Sequence, residues 1–438
     1  MILWGNQISS DSLQFGYKKS HSATQLSWMI LTVAEYFNAR GATVYACSLD
    51  FSKAFDCVIF DKLFLKILNR GVPPLVVKVL IYCYQQQVGW VKFGDTTSTT
   101  FKITNGTRQG SVSSPLWFKL YLDSLLKRLR DQKLGCHILG VWYGAGVFAD
   151  DVFLMAPNRF TLQRMVTVAE EYGAEHNLKF STDPDIKKSK TKCIIFRGAR
   201  RMQKPEPVVL NGKQLPWVES LTHLGVTLHE SIKMDSDADR ARGSYMRRAD
   251  DLRAQLYWSW PSTKMRSIEL LASDNFGCNL WNLQSDSAES YFKSFNIQSR
   301  LAWNLDRQTK TCLIEKFFCA EHMSLRKMVL SRYPGFVKKL LSSPCFELRF
   351  LASIVIKDSR SVTCRNINYV NSITKLDVMR EPKWKIKLAN IYQSDENPEP
   401  WRLRLLTTLL DIKMNQRFDL WKLPMNILND MVTSLCIS

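Results

Sequence analysis

Several features that define common protein classes are absent from this chain. No run of about 18 apolar residues occurs, so no membrane-spanning helix is predicted. The first residues, Met1-Ile-Leu-Trp-Gly, lack the basic start and the long apolar core of a signal peptide. We also see no internal repeat and no low-complexity tract. These absences predict a soluble chain that does not use a membrane as its partner.

The cysteines do not form the pattern of a disulfide scaffold. Eleven of them are scattered along 438 residues, whereas secreted scaffolds concentrate their cysteines in short chains. Cys312, Cys319 and His322 come nearest to a metal cluster, but they lack the paired spacing of a zinc knuckle. We therefore predict a reducing compartment, inside the cell, in the cytoplasm or the nucleus.

Acidic residues are too few to balance the basic ones. The chain carries 60 Lys and Arg against 40 Asp and Glu, a net charge of +20, and its isoelectric point is about 9.5. Such an excess indicates a polyanionic partner, most simply nucleic acid. The alternative is a basic chain without a specialised partner. The hydrophobic fraction of 45% excludes a fully disordered protein.

The pattern of apolar residues divides the chain near residue 230. Before that point helices and strands alternate, and after it helices are predicted almost throughout. The predicted helices are 22–37, 61–70, 75–86, 115–130 and 162–177. The predicted strands are 43–49 and 193–196, with hairpins at 89–103, 146–155 and 208–215. The last hairpin contains Asn211-Gly212, a strong signal for a tight turn.

Three acidic residues lie at predicted strand ends. Asp50 closes the first buried strand, and Asp150 and Asp151 interrupt two apolar arms 100 positions later. Carboxylates at the ends of adjacent core strands can converge, and they repel each other unless a cation neutralises them. Hard oxygen ligands suit Mg²⁺, and two such ions about 3.5–4 Å apart form a clamp for in-line displacement at phosphorus. An ordinary acidic turn is the alternative for each position taken alone.

Between these carboxylates, residues 105–115 form a loop of small residues that enters a helix at Pro115. Its glycines allow the backbone to approach a ligand closely, and a helix N-terminus favours phosphate. By itself the segment is equally consistent with an ordinary loop.

These segments, in this order, resemble the reverse transcriptases of non-LTR (LINE-type) retrotransposons, most closely the CR1/jockey-like branch. Residues 15–25, FGYKKSHSATQ, are similar to the family's GFRKGHST segment. The three palm motifs are matched by 49–56 (LDFSKAFD), by Arg108-Gln109-Gly110 with Ser114-Pro115, and by 148–151 (FADD). Lys190-Thr191-Lys192 is similar to the fourth motif, and His223-Leu224-Gly225 to the primer grip. The resemblance covers about residues 15–370.

The resemblance implies a role for individual residues of the palm. Asp50 and Asp150 would hold two Mg²⁺ ions, for which Mn²⁺ is a possible substitute, and Asp151 would complete the acidic cluster. Phe51 would offer its backbone carbonyl to the metal beside the incoming triphosphate. Phe55 would act as a steric gate against the ribose 2′-hydroxyl, which favours deoxynucleotides.

Further residues would contact the nascent base pair, the leaving group and the duplex. Gln109 and Gly110 would line the nascent pair, while Lys190, or alternatively Lys192, could protonate the pyrophosphate. Leu224 and Gly225 would contribute to the primer grip. The matching region of the family grips the template–primer duplex with its thumb, and the arginines proposed for phosphate contacts are Arg240, Arg247, Arg248 and Arg253. A solvated helix face is the alternative for these arginines.

The sequence also departs from the family's pattern. It begins almost at the GFRKGHST-like segment, which predicts an N-terminally truncated element copy without the upstream finger strands. Ser113 and Trp117 replace an apolar residue and a second Leu or Ile that relatives usually carry. No upstream endonuclease, ribonuclease H or cysteine-rich knuckle is recognisable.

The resemblance implies an α+β fold, the polymerase right hand, whose palm is an antiparallel sheet backed by helices. We expect partial fingers and palm at 1–229, a helical thumb at 230–330 and a helical C-terminal extension at 331–438. The expected function is RNA-directed DNA polymerisation, with dNTPs added to a DNA primer on an RNA template. Two alternatives are an inactive nucleic-acid-binding remnant of such an element and a group II intron-type maturase.

Overall fold

The computed structural model describes residues 10–107, 113–182, 189–197, 203, 205–273, 275–305, 307, 324–381, 383–385 and 387. The chain divides into two compact units, one made of residues 1–233 and 340–361 and the other of residues 234–339 and 362–438. The three-domain division at residues 229 and 330 stays a prediction.

The first unit contains the strands that the structure describes. In chain order they are β1 (Val44–Leu49), β2 (Phe51–Ser52), β3 (Val88–Gly89), β4 (Lys92–Phe93), β5 (Thr96–Thr97), β6 (Phe101–Lys102), β7 (His137–Ile138), β8 (Val141–Trp142), β9 (Ala145–Phe148), β10 (Asp151–Ala156), β11 (Lys179–Phe180), β12 (Lys192–Phe196), β13 (Val208–Leu210), β14 (Lys213–Leu215), β15 (Trp217–Val218), β16 (Ser220–His223) and β17 (Val226–His229).

The described helices occur in both units. In chain order they are α1 (Ala23–Asn38), α2 (Phe60–Asn69), α3 (Pro74–Gln85), α4 (Ser114–Asp131), α5 (Arg159–Glu175), α6 (Asp235–Gln255), α7 (Pro261–Ser267), α8 (Asp286–Ala302), α9 (Leu325–Leu341), α10 (Phe346–Val355) and α11 (Val362–Thr374). A short 3₁₀ helix, Ala54–Cys57, follows β2. Helices α1–α5 and α10 belong to the first unit, and α9 crosses into it with its last two residues.

A five-stranded sheet with the order β15-β12-β1-β10-β9 forms the centre of the first unit. Strand β1 runs antiparallel to both of its neighbours, β10 and β12. Its residues are almost all buried, as a continuous apolar run predicts for a central strand. Helices α1 and α5 pack against this sheet. Strands β12, β1, β10 and β9 are antiparallel, and β15 joins β12 in parallel at one edge. The first unit therefore has the expected palm fold, a largely antiparallel sheet backed by helices.

The described part of the second unit is helical. Its helix α6 packs against α8, and the indole Nε1 of Trp281 donates a hydrogen bond of 3.0 Å to the fully buried carboxylate of Asp237. The side chain of Asn366 accepts from the backbone N–H of Leu283 and donates to the carbonyl of Trp281. A helical region after residue 230 is confirmed for the residues that the structure describes.

Local signals in the sequence predicted most elements of the first unit closely. The side chain of Ser22 caps α1 by accepting from the backbone N–H of Gln25, and Pro115 lies in the first turn of α4. Both residues of the turn Asn211-Gly212 have positive φ, at 50° and 72°, as a tight hairpin requires. The hairpin β4–β5 turns at Gly94-Asp95, within the hairpin predicted at 89–103. Among the described helices, none combines the length and the apolar character needed to cross a membrane.

Candidate active site

The end of β1 and the hairpin β9–β10 bring the three predicted carboxylates to one edge of the central sheet. Leu49 pairs with Val152 in the antiparallel ladder, so the next residue, Asp50, comes opposite Asp151. Asp150 precedes Asp151 in the turn of the hairpin. Strand pairing therefore brings these residues, which are 100 positions apart in the chain, to the same sheet edge. Their catalytic roles stay a prediction.

The turn that carries Asp150 has an unusual backbone. Phe148 pairs with Asp151, which leaves Ala149 and Asp150 as a two-residue loop. Ala149 has φ of 57°, in the left-handed region that non-glycine residues rarely adopt. Such a conformation costs free energy and persists only where the surrounding structure holds it, often at functional sites.

Mutual repulsion and burial perturb the carboxylates. The pKa of Asp151 is raised to about 6, first by burial and then by the negative charges of Asp150 and Asp50. The pKa of Asp50 is raised mainly by burial, an effect that the nearby Lys190 opposes and that Asp150 reinforces. A bound cation would stabilise the ionised form of both carboxylates.

Lys190 is the basic group of this site. Its Nζ lies 3.7 Å from Oδ2 of Asp50, and its side chain is 71% exposed, compared with 18% for that of Asp50. A long, exposed lysine beside a fixed carboxylate can turn toward a phosphate group that enters the site. The structure therefore brings Lys190 to the carboxylates, whereas Lys192 is the first residue of β12, paired with Ser48.

The oxygen chemistry of the site fits a hard divalent cation. Among the described residues, no group of three or more His, Cys, Asp or Glu side chains could hold a metal ion by itself. Magnesium is commonly held by one or two carboxylates, with substrate phosphates and water completing its coordination. The three aspartates fit such an open site, in which the substrate supplies the missing oxygens.

Two predicted nucleotide contacts, Phe51 and Phe55, follow Asp50 closely in the chain. The ring of Phe51 is buried and stacks on Phe180 with centroids 4.6 Å apart, so only its backbone can face a ligand. Phe55 is half-buried in the 3₁₀ helix, and its ring packs against Phe118 of α4 with centroids 4.6 Å apart. Packing of this kind fixes the ring of Phe55 in place.

The predicted nascent-pair contacts, Gln109 and Gly110, lie outside the described residues. The described residues just before them are attached to the 3₁₀ helix that carries Phe55 and to the residue that follows it. Thr107 donates its N–H to the carbonyl of Phe55 at 2.8 Å, and Gly106 donates to that of Val58 at 2.8 Å. Gly106 and Thr107, which lead into this loop, are therefore held next to Phe55 by backbone hydrogen bonds.

The predicted primer grip forms a tight turn. Leu224 and Gly225 connect β16 to β17, with φ of 51° and 76°. The preceding residue, His223, is buried, and its ring lies 4.9 Å from that of Phe153 in β10, the strand that begins at Asp151. This hairpin thus packs against the strand that supports the carboxylates.

The arginines predicted to face a duplex do not lie on one face of α6. At 100° per residue, Arg247 lies about 20° from Arg240 around the helix, whereas Arg253 lies about 140° away. Arg240 forms an ion pair of 2.8 Å with the buried Asp237, and Arg253 binds Asp250 at 2.6 Å and Gln298 at 3.0 Å. These contacts give both guanidinium groups a structural role within the second unit.

Helix α6 also carries no net charge, because its five arginines are matched by five aspartates. The phosphate contacts expected of Arg240, Arg247, Arg248 and Arg253 stay a prediction. Arg247 and Arg248 are both exposed and stay the better candidates for phosphate contacts.

Two residues that support Asp50 were not predicted from the sequence. Oγ1 of Thr191, which is fully buried, accepts the backbone N–H of Asp50 at 3.3 Å. The N–H of Ser181 donates to the carbonyl of Asp50 at 2.8 Å. The only signal for Thr191 in the sequence is a small polar residue between two lysines at the entrance of an apolar strand.

Comparison with known proteins gives matches to a family model, to curated proteins and to solved structures. A family model described as reverse transcriptase (RNA-dependent DNA polymerase) matches residues 6–228, half of the chain. The chain is 25% identical over 196 residues to the Pol polyprotein from type-2 retrotransposable element R2DM of Drosophila melanogaster, covering 44% of this chain and 18% of the relative. It is 26% identical over 294 residues to the probable RNA-directed DNA polymerase from transposon X-element of the same organism, covering 63% and 30%.

The chain spans less than a third of the length of these curated relatives. Among solved structures, it is similar to telomerase from Candida tropicalis with a fragment of telomeric RNA, at a TM-score of 0.40 and 13% identity. That similarity covers 85% of this chain and 53% of the telomerase chain.

Proposed function

The chain belongs to the reverse transcriptase (RNA-dependent DNA polymerase) family, with relatives in non-LTR retrotransposons, and on this premise we propose that it extends a DNA primer on an RNA template. The observation that carries the proposal is the meeting of Asp50, Asp150 and Asp151 at one sheet edge inside the matched region. The reaction is attack of the primer 3′-hydroxyl on the α-phosphate of a dNTP, with pyrophosphate as the leaving group.

Reverse transcriptases use divalent metal ions, and we assign Mg²⁺ to this site, with Mn²⁺ as a possible substitute. Asp50, Asp150 and Asp151 would hold the ions, together with the backbone carbonyl of Phe51. Two bound ions would stabilise the charge that develops on the attacking and leaving oxygens. The raised pKa values of Asp50 and Asp151 support this assignment, since a cation relieves the repulsion that raises them.

Lys190 would donate the proton that the pyrophosphate takes up. A positioned general acid contributes about 10²–10⁴-fold to a rate. The distance of 3.7 Å between Lys190 and Asp50 supports this role, because the ammonium group is already at the site and its side chain is largely exposed.

Phe55 would select the sugar of the incoming nucleotide. Its ring is braced by Phe118, so it cannot move aside easily for a 2′-hydroxyl. Preference for deoxynucleotides follows from that collision. Gln109 and Gly110 would contact the nascent pair, while the turn Leu224-Gly225 and the exposed Arg247 and Arg248 would contact the duplex.

Primer extension of oligo(dT) on poly(rA) in Mg²⁺, compared with the same reaction in a chelator, tests the proposal. The proposal predicts elongation by dTTP that the chelator abolishes. A protein that binds the primed template but adds no nucleotide would contradict it, and would instead support an inactive nucleic-acid-binding chain.

A further inference from the structure

A buried segment at the start of the first unit extends the central sheet beside the catalytic hairpin. The N–H of Phe15 donates to the carbonyl of Val147 in β9 at 2.7 Å, and the N–H of Val147 donates to the carbonyl of Leu13 at 2.9 Å. Leu13, Gln14 and Phe15 are at most 1% exposed. We call residues 13–16 the brace, and it lies directly against the strand that leads into the turn of Asp150.

Gly16, the last residue of the brace, touches that turn at a distance that only glycine allows. A Cβ at Gly16 would lie 2.4 Å from the backbone nitrogen of Ala149, 3.1 Å from its Cα and 3.3 Å from the carbonyl carbon of Phe148. These are backbone atoms, which cannot swing away like the end of a side chain. Gly16 does not have positive φ, so this position requires glycine for space and not for backbone conformation.

Hydrogen bonds hold the brace in a fixed shape. Oε1 of Gln14 accepts the N–H of Gly16 at 3.0 Å. Nε2 of the same side chain is buried and has no hydrogen-bond partner among the described residues. Burial of this unpartnered amide nitrogen costs free energy. The hydrogen bond that Oε1 of the same side chain accepts fixes the position of Gly16.

Charged residues attach the chain just before the brace to two helices. Arg130 of α4 lies 2.9 Å from Oδ1 of Asp11 and 3.3 Å from Oε1 of Glu347 in α10. Oγ of Ser12 donates to Oε1 of Glu347 at 2.7 Å. Nζ of Lys18, which follows the brace, returns to the carbonyl of Asp11 at 2.7 Å. The brace is therefore held at both of its ends.

We propose that the brace holds Ala149 of the turn Ala149-Asp150 in its left-handed conformation, and that Gly16 is a positioning residue for the carboxylate of Asp150. Gly16 touches no reacting group and acts through the backbone of Ala149. This inference rests on the proposed polymerase function, because it assigns the turn a task in catalysis. Phe15 and Gly16 of the brace begin the segment 15–25 that is similar to the family's GFRKGHST segment. The proposal thus gives the start of that segment a role in positioning Asp150.

The variant Gly16→Ala in the full chain tests the proposal. Hydrogen–deuterium exchange of the unliganded protein should be about tenfold faster in peptides that cover 145–156, and little changed in those that cover the second unit. The kcat of primer extension should fall by about tenfold or more, because small displacements of reacting groups are costly. The Kd for primed template should stay within about twofold of the wild-type value.

Gly71→Ala is the matched control. Gly71 has φ of 77°, and a Cβ there would meet nothing within 4 Å, so this variant strains the backbone without touching the turn. It should lower stability and leave exchange at 145–156 unchanged. If Gly16→Ala folds and keeps both the exchange and the kcat of the wild type, or if the control reproduces its effects, the proposal is overturned.

Gln14→Met covers the case in which Gly16→Ala does not fold. It keeps the side-chain volume and removes the acceptor for the N–H of Gly16 together with the unpartnered Nε2. Loss of that acceptor should raise exchange at 145–156 by about threefold. Unchanged exchange in a folded Gln14→Met protein would overturn the proposal. The exchange measurement needs neither substrate nor metal, so failure of the polymerase function would appear separately, as absent extension by the wild type.

Discussion

Nζ of Lys190 lies 3.7 Å from Oδ2 of Asp50, although the two residues are 140 positions apart in the chain. Register explains the meeting, since β1 pairs with β12 from Val44–Phe196 to Ser48–Lys192. Asp50 follows β1, and Lys190 precedes β12. One ladder of the central sheet thus aligns a carboxylate and an ammonium group at the same edge.

Lys190→Gln should lower the single-turnover rate of nucleotide addition by about 10²-fold, because the leaving group loses its general acid. The pKa of Asp50 should rise further, since Lys190 lowers it in the wild type. Rapid-quench kinetics across a range of pH measures both effects. Lys192→Gln is the matched control. If the control loses as much rate as Lys190→Gln, the role assigned to Lys190 is wrong.

Phe55→Ala should raise the incorporation of ribonucleotides relative to deoxynucleotides, because the collision with the 2′-hydroxyl disappears. Loss of the contact with Phe118 should also lower the free energy of unfolding by roughly 1–3 kcal/mol, less than for a fully buried phenylalanine. Competition between dTTP and UTP on the same primer measures the ratio.

Phe60→Ala controls for stability alone, since Phe60 packs on Tyr84 with ring centroids 5.1 Å apart. It should destabilise the protein and leave sugar preference unchanged. If an active Phe55→Ala protein keeps the wild-type ratio of ribonucleotide to deoxynucleotide incorporation, Phe55 does not select the sugar.

Arg247→Gln and Arg240→Gln should affect different properties. Arg247 is exposed, so its loss should flatten the dependence of log affinity on log salt by about 0.9 for B-DNA, the effect of one phosphate contact. Arg240 neutralises the buried Asp237, so its loss should lower the melting temperature and leave the salt slope unchanged. Binding titrations over a range of salt concentrations separate the two. Parallel slopes for Arg247→Gln and wild type would show that α6 makes no phosphate contact there.

Helix α6 shows a local pattern that the prediction from its arginines alone did not include. Arginines recur along 240–253, but Arg240 and Arg253 each have an aspartate three residues earlier on the same helix. The ion pairs with Asp237 and Asp250 neutralise these two arginines. The carboxylates could be predicted, because an apolar strand that ends in Asp50 and an Asp pair between two apolar arms are local patterns. The contact between Gly16 and Ala149 depends on a pairing across more than 100 positions, and no local pattern indicates it.

The pH dependence of stability should reflect His223. Burial lowers its pKa to about 4, compared with 6.5 in the unfolded chain. Between those values the unfolded chain holds a proton that the folded protein does not, so the unfolding free energy should fall by about 1.4 kcal/mol per unit as pH decreases. His223→Phe keeps a ring against Phe153 and cannot titrate. Denaturation of this variant at pH 6 and 4.5 should show a shallower loss of stability than the wild type. If the wild type and His223→Phe lose stability equally between these pH values, His223 is not the group responsible.

Nucleotide addition by Asp150→Asn tests the central claim most directly, with Asp95→Asn as its control. Asp95 lies in the exposed turn between β4 and β5, far along the chain from the carboxylates. The proposed site predicts that Asp150→Asn binds primed template like the wild type and loses more than about 10²-fold in rate, or ~2.7 kcal/mol of transition-state stabilisation, while Asp95→Asn keeps full activity. If Asp150→Asn retains more than about a hundredth of the wild-type rate, the assignment of the carboxylates to metal-assisted polymerisation is contradicted.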